Sequence, residues 1–404
     1  MSGSAITRRG FFAGLGLTGA TAVLASCSDK DATGEGSQTT PDATSGGISG
    51  ENTKVAFDGN HQAGIATAPQ THAILVAYDF KATAIEGGSS VVQRSLQRVM
   101  RIWTDDARAL TQGNTALADL ESELTHAPMN MTITVGWGTE IMKQAGLLDR
   151  VPSWVKKNEK GLPAFEGDEL KPDFSGGDIV LQICGDDVTA VSHAARVLTR
   201  GCRDFVEPKW TQRGFLDAPT GETPRNLLGF KDGTAIPRTE EEYDQAIWDE
   251  QGGSAMVVRR IVFDMPGWEA LDRTSRETVF GRDIVKGAPL GQREEFDEVD
   301  LNITDDTGLP MIDPNSHVGI SAGEGKFMRR RAYNWDGEIT PLGSSGLIFI
   351  CFQNDPDKAF TPLQKRLAKS DRLNQWITHV GSALFWCPPG TQEGSYWGQT
   401  ILEG

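Results

Sequence analysis

The alternation of apolar and polar residues along the chain predicts a series of strands and helices. Five stretches rich in β-branched and aromatic residues predict β-strands, at 72–80, 131–138, 178–185, 254–265 and 346–353. Two longer stretches repeat apolar residues at helical spacing and predict helices at 91–110 and 187–205, the second opening with Asp187 in capping position. Residues 361–385 predict a helix followed by a short apolar segment.

These elements recur in a similar order in two parts of the chain. A strand, a helix, two strands and a helix come first, and a comparable set follows residue 240. This order predicts an α+β protein of two similar halves, each an antiparallel sheet with helices packed on its outer face. The stretch 206–240 is rich in Pro, Gly and Thr, which predicts the boundary between the halves there.

The first 27 residues have the features of an export signal and are left out of the fold. Arg8 and Arg9 precede two phenylalanines and a modest apolar run of Ala, Gly, Leu and Val, which resembles a twin-arginine signal. The alternative is an ordinary export signal or a short membrane anchor, but the apolar run is short and rich in glycine. The pattern therefore predicts the twin-arginine translocase as a partner during export.

Leu24 to Cys27 matches a bacterial lipobox. Cleavage before Cys27 and diacylation of its thiol would anchor a cell-envelope lipoprotein, whereas ordinary cleavage near Ala25 would leave a periplasmic or secreted protein. Residues 28–55 follow, rich in Ser, Thr, Gly, Asp and Glu, and predict a disordered linker.

Charge and cysteine content narrow the function classes. The formal net charge of −16 argues against a nucleic-acid partner, because phosphate binding needs a basic surface. Cys184, Cys202, Cys351 and Cys387 show no spacing typical of a zinc site. Cys351 and Cys387 lie on strand-like runs and are candidates for a disulfide, with buried free thiols as the alternative.

Three features could carry chemistry. The stretch "NLLGFKDGTAIP" (226–237) predicts a turn in which Asp232 either shapes the backbone or acts as an acid–base group. His317 precedes a Gly/Ser-rich segment, and an arginine cluster follows in "MRRRAYNW". A neutral imidazole binds metal and guanidinium groups bind anions, a combination suited to haem, although structural roles remain open for each residue.

The motif Gly229-x-x-Asp232-Gly233 resembles the GxxDG motif of the dye-decolourising peroxidases. Further blocks resemble that family in the same order along the chain. They are "FDGNHQAGIATAPQ" (57–70), "GGSAMVVRRI" (252–261), "GRDIVKGAPLG" (281–291), "GLIFICFQNDP" (346–356) and "GSALFWCPPG" (381–390). The resemblance extends from about residue 57 to the C-terminus and is strongest to the exported, twin-arginine subgroup that includes deferrochelatase/peroxidases.

The resemblance implies two ferredoxin-like halves, an N-terminal one at 56–215 and a haem-binding C-terminal one at 216–404. It implies a haem b peroxidase, with one haem per chain, that reduces hydrogen peroxide and oxidises dyes, phenols or other reductants outside the cytoplasm. The alternative that it implies is a deferrochelatase or haem-handling protein that works with iron-uptake partners. An inactive haem-binding sensor is a third possibility.

The resemblance also implies roles for individual residues. His317 matches the proximal ligand of the haem iron and Asp232 matches the distal acid. Arg330 aligns with the distal arginine, although Arg329 and Arg331 stay open because the segment after His317 is shorter than usual. The loop residues that would contact haem are Gly233, Thr234 and Ala235.

The resemblance also suggests candidate residues for electron transfer to the haem and for binding of its propionates. Bulky dyes cannot enter a closed pocket, so electrons would reach the haem through aromatic side chains. The candidates are Tyr333, Trp335, Trp386 and Trp397. Arg259 or Arg260 would bind a haem propionate, with a surface ion pair as the alternative.

Overall fold

The computed structural model describes residues 53–124, 127–218, 221–323, 327–337 and 344–404. The predicted export signal, the lipobox and most of the predicted linker lie outside these ranges. Within them, no helix has both the length and the hydropathy that a membrane span requires.

Regular elements alternate along the described chain. The strands are His72–Phe80 (β1), Thr132–Gly138 (β2), Ile179–Gly185 (β3), Val206–Phe215 (β4), Ser254–Phe263 (β5), Arg329–Arg330 (β6), Tyr333–Asp336 (β7), Ser345–Gln353 (β8) and Ile377–Cys387 (β9). The α-helices are Ala82–Ile85 (α1), Ser89–Thr111 (α2), Thr139–Gln144 (α3), Ser153–Lys157 (α4), Val188–Gly201 (α5), Glu240–Ala246 (α6), Met265–Glu269 (α7), Arg273–Phe280 (α8), His317–Ser321 (α9), Phe360–Ser370 (α10) and Gln399–Glu403 (α11). Short 3₁₀ turns occur at Ser122–Leu124, Pro172–Phe174 and Arg372–Gln375.

Each half is a ferredoxin-like βαββαβ unit. In the first half the order across the sheet is β2-β3-β1-β4, with α2 and α5 as the connecting helices. In the second half β9 and β8 flank β5, and β6 and β7 both pair with β8. All of these pairings are antiparallel, so the predicted α+β architecture of two similar halves is confirmed.

The two sheets join at both edges. Trp137 of β2 pairs with Trp386 of β9, and Phe215 of β4 pairs with Asn334 of β7. The strands of the two halves therefore close into a barrel, which leaves few unpaired sheet edges.

Alternate residues of the strands contribute to different apolar clusters. Ile74 of β1 packs in a cluster with Leu96 and Trp103 of α2, whereas Leu75 belongs to a cluster with Phe352 of the second half. This alternation follows from the two-residue period of a strand. Both faces of the sheets are therefore buried, one against helices and one between the halves.

The structure corrects three details of the sequence interpretation. The stretch 206–215 lies in the predicted boundary but forms β4, because its pairing with β1 outweighs its polar composition. The stretch 377–387 forms β9 along the whole length of β5, so the predicted helix ends at residue 370. Cys351 and Cys387 are buried free thiols, as are Cys184 and Cys202, so the disulfide candidate is not formed.

Candidate active site

The loop 226–237 connects β4 to α6 and has the turn geometry that its two glycines predict. Gly229 has a φ of 96° and Gly233 a φ of 109°, values that side chains other than glycine rarely adopt. The side-chain oxygen of Asn226 accepts two backbone N–H bonds inside the loop. Phe230 is buried and stacks on Phe280 with ring centroids 4.0 Å apart. The loop is thus fixed against α8 close to Asp232.

Asp232 lies beside Arg330 of β6. The guanidinium Nε of Arg330 is 3.7 Å from Oδ1 of Asp232, and its Nη1 donates to the carbonyl of Ala235 at 3.0 Å. Both side chains keep about a quarter of their surface exposed, 22% for Arg330 and 24% for Asp232. The strand and the loop therefore hold a cation and an anion next to each other at an accessible place.

Arg329 of β6 and Arg331, which directly follows β6 and also bonds to β8, point away from the side of Arg330 because successive residues of an extended chain alternate. Arg329 is 5% exposed and donates to the carbonyls of Pro237 and Thr67. Arg331 is 1% exposed and donates to the side-chain oxygen of Gln70 at 2.8 Å. Of the three arginines, Arg330 is therefore the one next to Asp232.

His317 is the first residue of α9, and its imidazole is held by a carboxylate. Nδ1 of His317 lies 2.6 Å from Oδ2 of Asp371, which is 2% exposed in its side chain. Asp371 is itself fixed, because its Oδ1 accepts the backbone N–H of Leu373 at 2.9 Å. The side chain of Ser316 caps α9 by accepting from Gly319. The contact with Asp371 orients the ring and leaves Nε2 available for a ligand bond.

The electrostatic environment of His317 favours a basic imidazole. Burial lowers the pKa of His317, but the charge and hydrogen bond of Asp371 outweigh it, so the pKa lies above its ordinary value. Carboxylates in this position raise the basicity of metal-bound imidazoles. The ring of Phe280 lies 5.4 Å from the imidazole and packs against it.

A cavity of about 740 Å³ brings these groups together. Asp232, Arg330 and His317 all line it. Its apolar wall includes Leu228, Ile261, Phe280, Val318, Leu347 and Phe349. The other cationic side chains that line it are Lys231, Arg238, Arg259 and Arg282.

This donor set fits a haem. A haem is bound by an axial ligand for its iron, of which imidazole is one, by apolar surface for its macrocycle and by cations for its two carboxylates. The cavity supplies an oriented imidazole, an apolar wall and several guanidinium groups, within the usual volume of ligand pockets. Burial also lowers the pKa of the second imidazole in the cavity, that of His379, to about 3, so it stays neutral.

The three loop residues expected to contact haem do not all reach this cavity. Thr234 and Ala235 line it, beside Asp232. Gly233 instead lines a smaller neighbouring cavity of about 20 Å³, together with Asp232 and Arg330. Asp232 and Arg330 line both cavities, whereas Gly233 lines only the smaller one.

The two arginines proposed to bind propionate point to opposite sides of β5. Arg259 lines the large cavity, is 1% exposed and forms an ion pair with the buried carboxylate of Asp168. Arg260 is stacked between Phe174 and Trp335, with 3.7 Å and 4.3 Å to the ring centroids, and is absent from the cavity wall. Arg259 alone of this pair is placed to contact a ligand there.

The four aromatic residues proposed for electron transfer are buried core residues. Tyr333 and Trp335 pack between the halves, whereas Trp386 and Trp397 belong to the cluster that includes α2. None of the four lines the large cavity. Electrons relayed through the protein need not pass along the cavity wall, so a role in electron transfer stays a prediction for these four residues.

Comparison with known proteins agrees with the geometry of this site. The family model "Dyp-type peroxidase, N-terminal" matches residues 62–216, and "Dyp-type peroxidase, C-terminal" matches residues 223–392. The chain belongs to the Dyp-type peroxidase family. This Dyp-type peroxidase is accordingly a haem-dependent enzyme, and the resemblance inferred from the sequence blocks is confirmed.

The relatives of this Dyp-type peroxidase include proteins named dye-decolorizing peroxidase and proteins named deferrochelatase. The dye-decolorizing peroxidase of Thermobifida fusca is 35% identical over 334 residues, which are 77% of this chain and 76% of the relative. The deferrochelatase of Escherichia coli is 32% identical over 386 residues, 87% of this chain and 88% of the relative. A DyP-type peroxidase structure from Cellulomonas bogoriensis superposes with a TM-score of 0.81 at 40% identity, covering 87% of this chain and 99% of that chain.

Sequence reasoning missed several residues of this site. Asp371 follows α10 and is 54 residues away from His317, so no local pattern connects them. The only local feature of Asp371 in the sequence is its position as an N-cap residue before the 3₁₀ turn at 372–375. Arg282 and His379 were also missed as cavity residues, the second because its strand was taken for part of a helical segment.

Proposed function

We propose that this chain reduces hydrogen peroxide in the large cavity, with haem b bound there and His317 as the iron ligand. One observation carries the proposal. The adjacent carboxylate and guanidinium of Asp232 and Arg330 line the same cavity as an imidazole that is oriented by Asp371. When bound, haem supplies the iron at which the O–O bond is cleaved and the electrons that a reductant restores.

The contact between His317 and Asp371 selects the nitrogen that binds iron. Nδ1–H of His317 donates a hydrogen bond to Asp371, so Nε2 of His317 carries the free lone pair. The buried carboxylate also stabilises positive charge on the imidazole. His317 would therefore hold the iron through Nε2, and Asp232 and Arg330 would be the polar groups available to peroxide in the same cavity.

Asp232 and Arg330 act on the peroxide itself. The carboxylate of Asp232 takes the proton from one peroxide oxygen and returns it to the other, so that water is the leaving group. The guanidinium of Arg330 donates to the oxygen that gains negative charge as the bond breaks, a contribution of about 3–4 kcal/mol for such a donor. Its bond to Ala235 keeps the guanidinium beside Asp232.

The other cations of the cavity would hold the haem carboxylates. Arg282 and Arg238 line the cavity, and Arg259 does so while paired with Asp168. Because Asp168 already neutralises Arg259, we assign the propionates to Arg282 and Arg238 first. Thr234 and Ala235 would contact the macrocycle from the loop, and Gly233 would contribute only by giving the turn its shape.

The experiment that tests this function is an absorbance titration. Purified protein is loaded with haem and then mixed with one equivalent of hydrogen peroxide in a stopped-flow instrument. We expect a Soret band that shifts rapidly on mixing, and a weaker, displaced band in the His317→Ala variant because the axial ligand is lost. A wild-type protein without a Soret band would contradict the function, and a band unchanged in His317→Ala would contradict the ligand.

The same experiment distinguishes a second candidate function. Because a deferrochelatase of similar length is 32% identical to the chain, removal of iron from haem is the alternative. It would produce the fluorescence of metal-free porphyrin while the Soret band failed to respond to peroxide. The reductant of the peroxidase, whether a dye, a phenol or another small molecule, would be identified by which compound restores the resting spectrum. Iron-uptake proteins would be the partners in the deferrochelatase function.

We also propose that the chain is exported by the twin-arginine route and anchored at Cys27. The Arg8-Arg9 pair and the Leu24–Cys27 lipobox support this location. Replacing both arginines by lysine should retain the protein in the cytoplasm, as measured by cell fractionation. Replacing Cys27 by Ser should move the exported protein from the membrane fraction to the soluble one. Export of the lysine variant at the wild-type level would argue against the proposed route.

A further inference from the structure

The carboxylate of Glu295 binds the loop that carries Asp232 at several points. Nζ of Lys231 donates to Oε2 of Glu295 at 2.6 Å. The hydroxyls of Thr223 and Thr234 donate to Oε1 at 2.5 Å and 3.1 Å. These three donors lie before and after Asp232 in the sequence. One carboxylate therefore joins three points of the chain around the proposed acid–base residue.

The side chain of Asp232 depends on such support because the contact of its carboxylate with Arg330 is long. Among the described residues, the ion-pair contact of its carboxylate is with Arg330 at 3.7 Å, longer than a hydrogen bond. Gly233 follows with a φ of 109°, and no other atom lies within 4 Å of where a Cβ would be. The backbone here is held by two hydrogen bonds, from the N–H of Asp232 to the carbonyl of Pro224 at 2.8 Å and from Arg238 to the carbonyl of Gly233 at 3.1 Å. These bonds fix the turn but do not contact the carboxylate of Asp232.

Glu295 is itself held firmly. Its side chain is 10% exposed, and its backbone carbonyl accepts a hydrogen bond from Arg282 at 2.9 Å. Arg282 is 6% exposed and also donates to the carbonyl of Gly287 at 2.6 Å. The segment that carries Glu295 is therefore a suitable anchor for the loop.

Charge gives Glu295 a second effect. Burial raises its pKa, but the hydrogen bonds from Lys231 and Thr223 and the charge of Lys231 outweigh burial, so the pKa is lowered and the group is ionised. Lys231 is 12% exposed, lines the large cavity and directly precedes Asp232. Its ammonium is neutralised by Glu295. Without Glu295, the carboxylate of Asp232 would be an alternative partner for Lys231.

We propose that Glu295 is a positioning residue for the peroxidase reaction. It holds the loop so that Asp232 stays beside Arg330, and it prevents Lys231 from pairing with Asp232. The inference rests on the acid–base role of Asp232 in the proposed function. Glu295 would contact neither peroxide nor haem. It would act through Asp232, by keeping that carboxylate in position and unpaired with Lys231.

Two substitutions separate the two effects. Glu295→Gln keeps an oxygen for the threonines and removes the charge that binds Lys231, whereas Glu295→Ala removes both. We expect the second-order rate constant for hydrogen peroxide to fall about 10- to 100-fold in Glu295→Gln and at least as far in Glu295→Ala. Haem affinity, measured by Soret titration, should stay at the wild-type value.

Cyanide binding supplies a readout that is independent of turnover. Hydrogen cyanide must lose a proton to bind iron, so its binding rate reports on the same base as the peroxide reaction. The rate, followed by the Soret shift, should fall in parallel with the peroxide rate. A purely structural role of Glu295 would change the fraction of folded protein but not these rates per haem.

The double variant Lys231→Met/Glu295→Gln tests the role of the lysine. It removes both charges together, a change that buried pairs tolerate better than loss of one partner. We expect it to recover most of the rate lost in Glu295→Gln. A double variant as slow as Glu295→Gln would overturn the proposal, and this comparison is available even if Glu295→Ala does not fold.

Asp58 provides a matched control in the first half of the chain. Its carboxylate accepts hydrogen bonds from Arg108 at 2.9 Å and Thr391 at 2.6 Å, away from the cavity wall. Asp58→Asn should leave both rates unchanged.

The outcomes distinguish the role of Glu295 from that of Asp232. If Asp232→Asn is slow but both Glu295 variants react like wild type, only the proposed role of Glu295 is refuted. If Asp232→Asn is also fast, the proposed function of Asp232 fails first.

Discussion

Replacing Asp232 by Asn should lower the second-order rate constant for hydrogen peroxide by about 10²- to 10⁴-fold, the range for loss of a positioned acid–base group. Asparagine has nearly the same shape, so the loop and its glycines should keep their conformation. Its amide cannot take the proton from one peroxide oxygen and deliver it to the other. The rate is measured by stopped-flow absorbance on haem-loaded protein, per mole of haem.

The control for this substitution is Asp244→Asn. Asp244 lies on α6, is exposed and does not line the cavity. This variant should react at the wild-type rate with the same Soret band. An Asp232→Asn enzyme that reacts within a few-fold of wild type would mean that Asp232 only shapes its turn.

Replacing Arg330 by Leu should lower the same rate constant by about 10²- to 10³-fold, the usual loss for one donor to a developing negative charge. The apolar side chain also removes the cation next to Asp232 at 3.7 Å. The rate constant of Arg330→Lys should lie between those of the wild type and Arg330→Leu, because an ammonium keeps the charge but not the planar donor geometry. Single-turnover kinetics with peroxide distinguish this effect from a change in the affinity for the reductant.

Arg331→Lys is the matched variant for the arginine cluster. Arg331 is buried, and its contacts are with protein oxygens, which an ammonium can also satisfy. We expect its peroxide rate to stay near wild type once haem loading is equal. A large loss in Arg331→Lys with little loss in Arg330→Lys would move the proposed donor role to Arg331.

The sequence pattern identified most of the sheet because both faces of these strands are buried. Residues 72–80 were predicted as a strand with the bounds that β1 has. By contrast, β4 has polar residues at half of its positions, and its burial pattern marks only Val206, Trp210 and Gly214 as buried. Its conformation comes from pairing with β1 and β7, which are distant in sequence, so local composition was a poor guide.

The motif around Asp232 and the position of His317 could be recognised in the sequence, because turn chemistry and family blocks are local. The choice among the three arginines was not local. Arg330 lies next to Asp232 because β6 pairs with β8 in a register that turns Arg329 and Arg331 to the other side.

Sequence alone was sufficient for the two-half α+β plan, the family and the candidate residues Asp232 and His317, since each depends on residues close together in the chain. The contact of His317 with Asp371, the closure of the barrel and the bonds of Glu295 to the Asp232 loop join segments that are 54 or more residues apart. Such contacts leave no periodicity or spacing in the sequence, because they arise only when folding packs distant segments around one cavity.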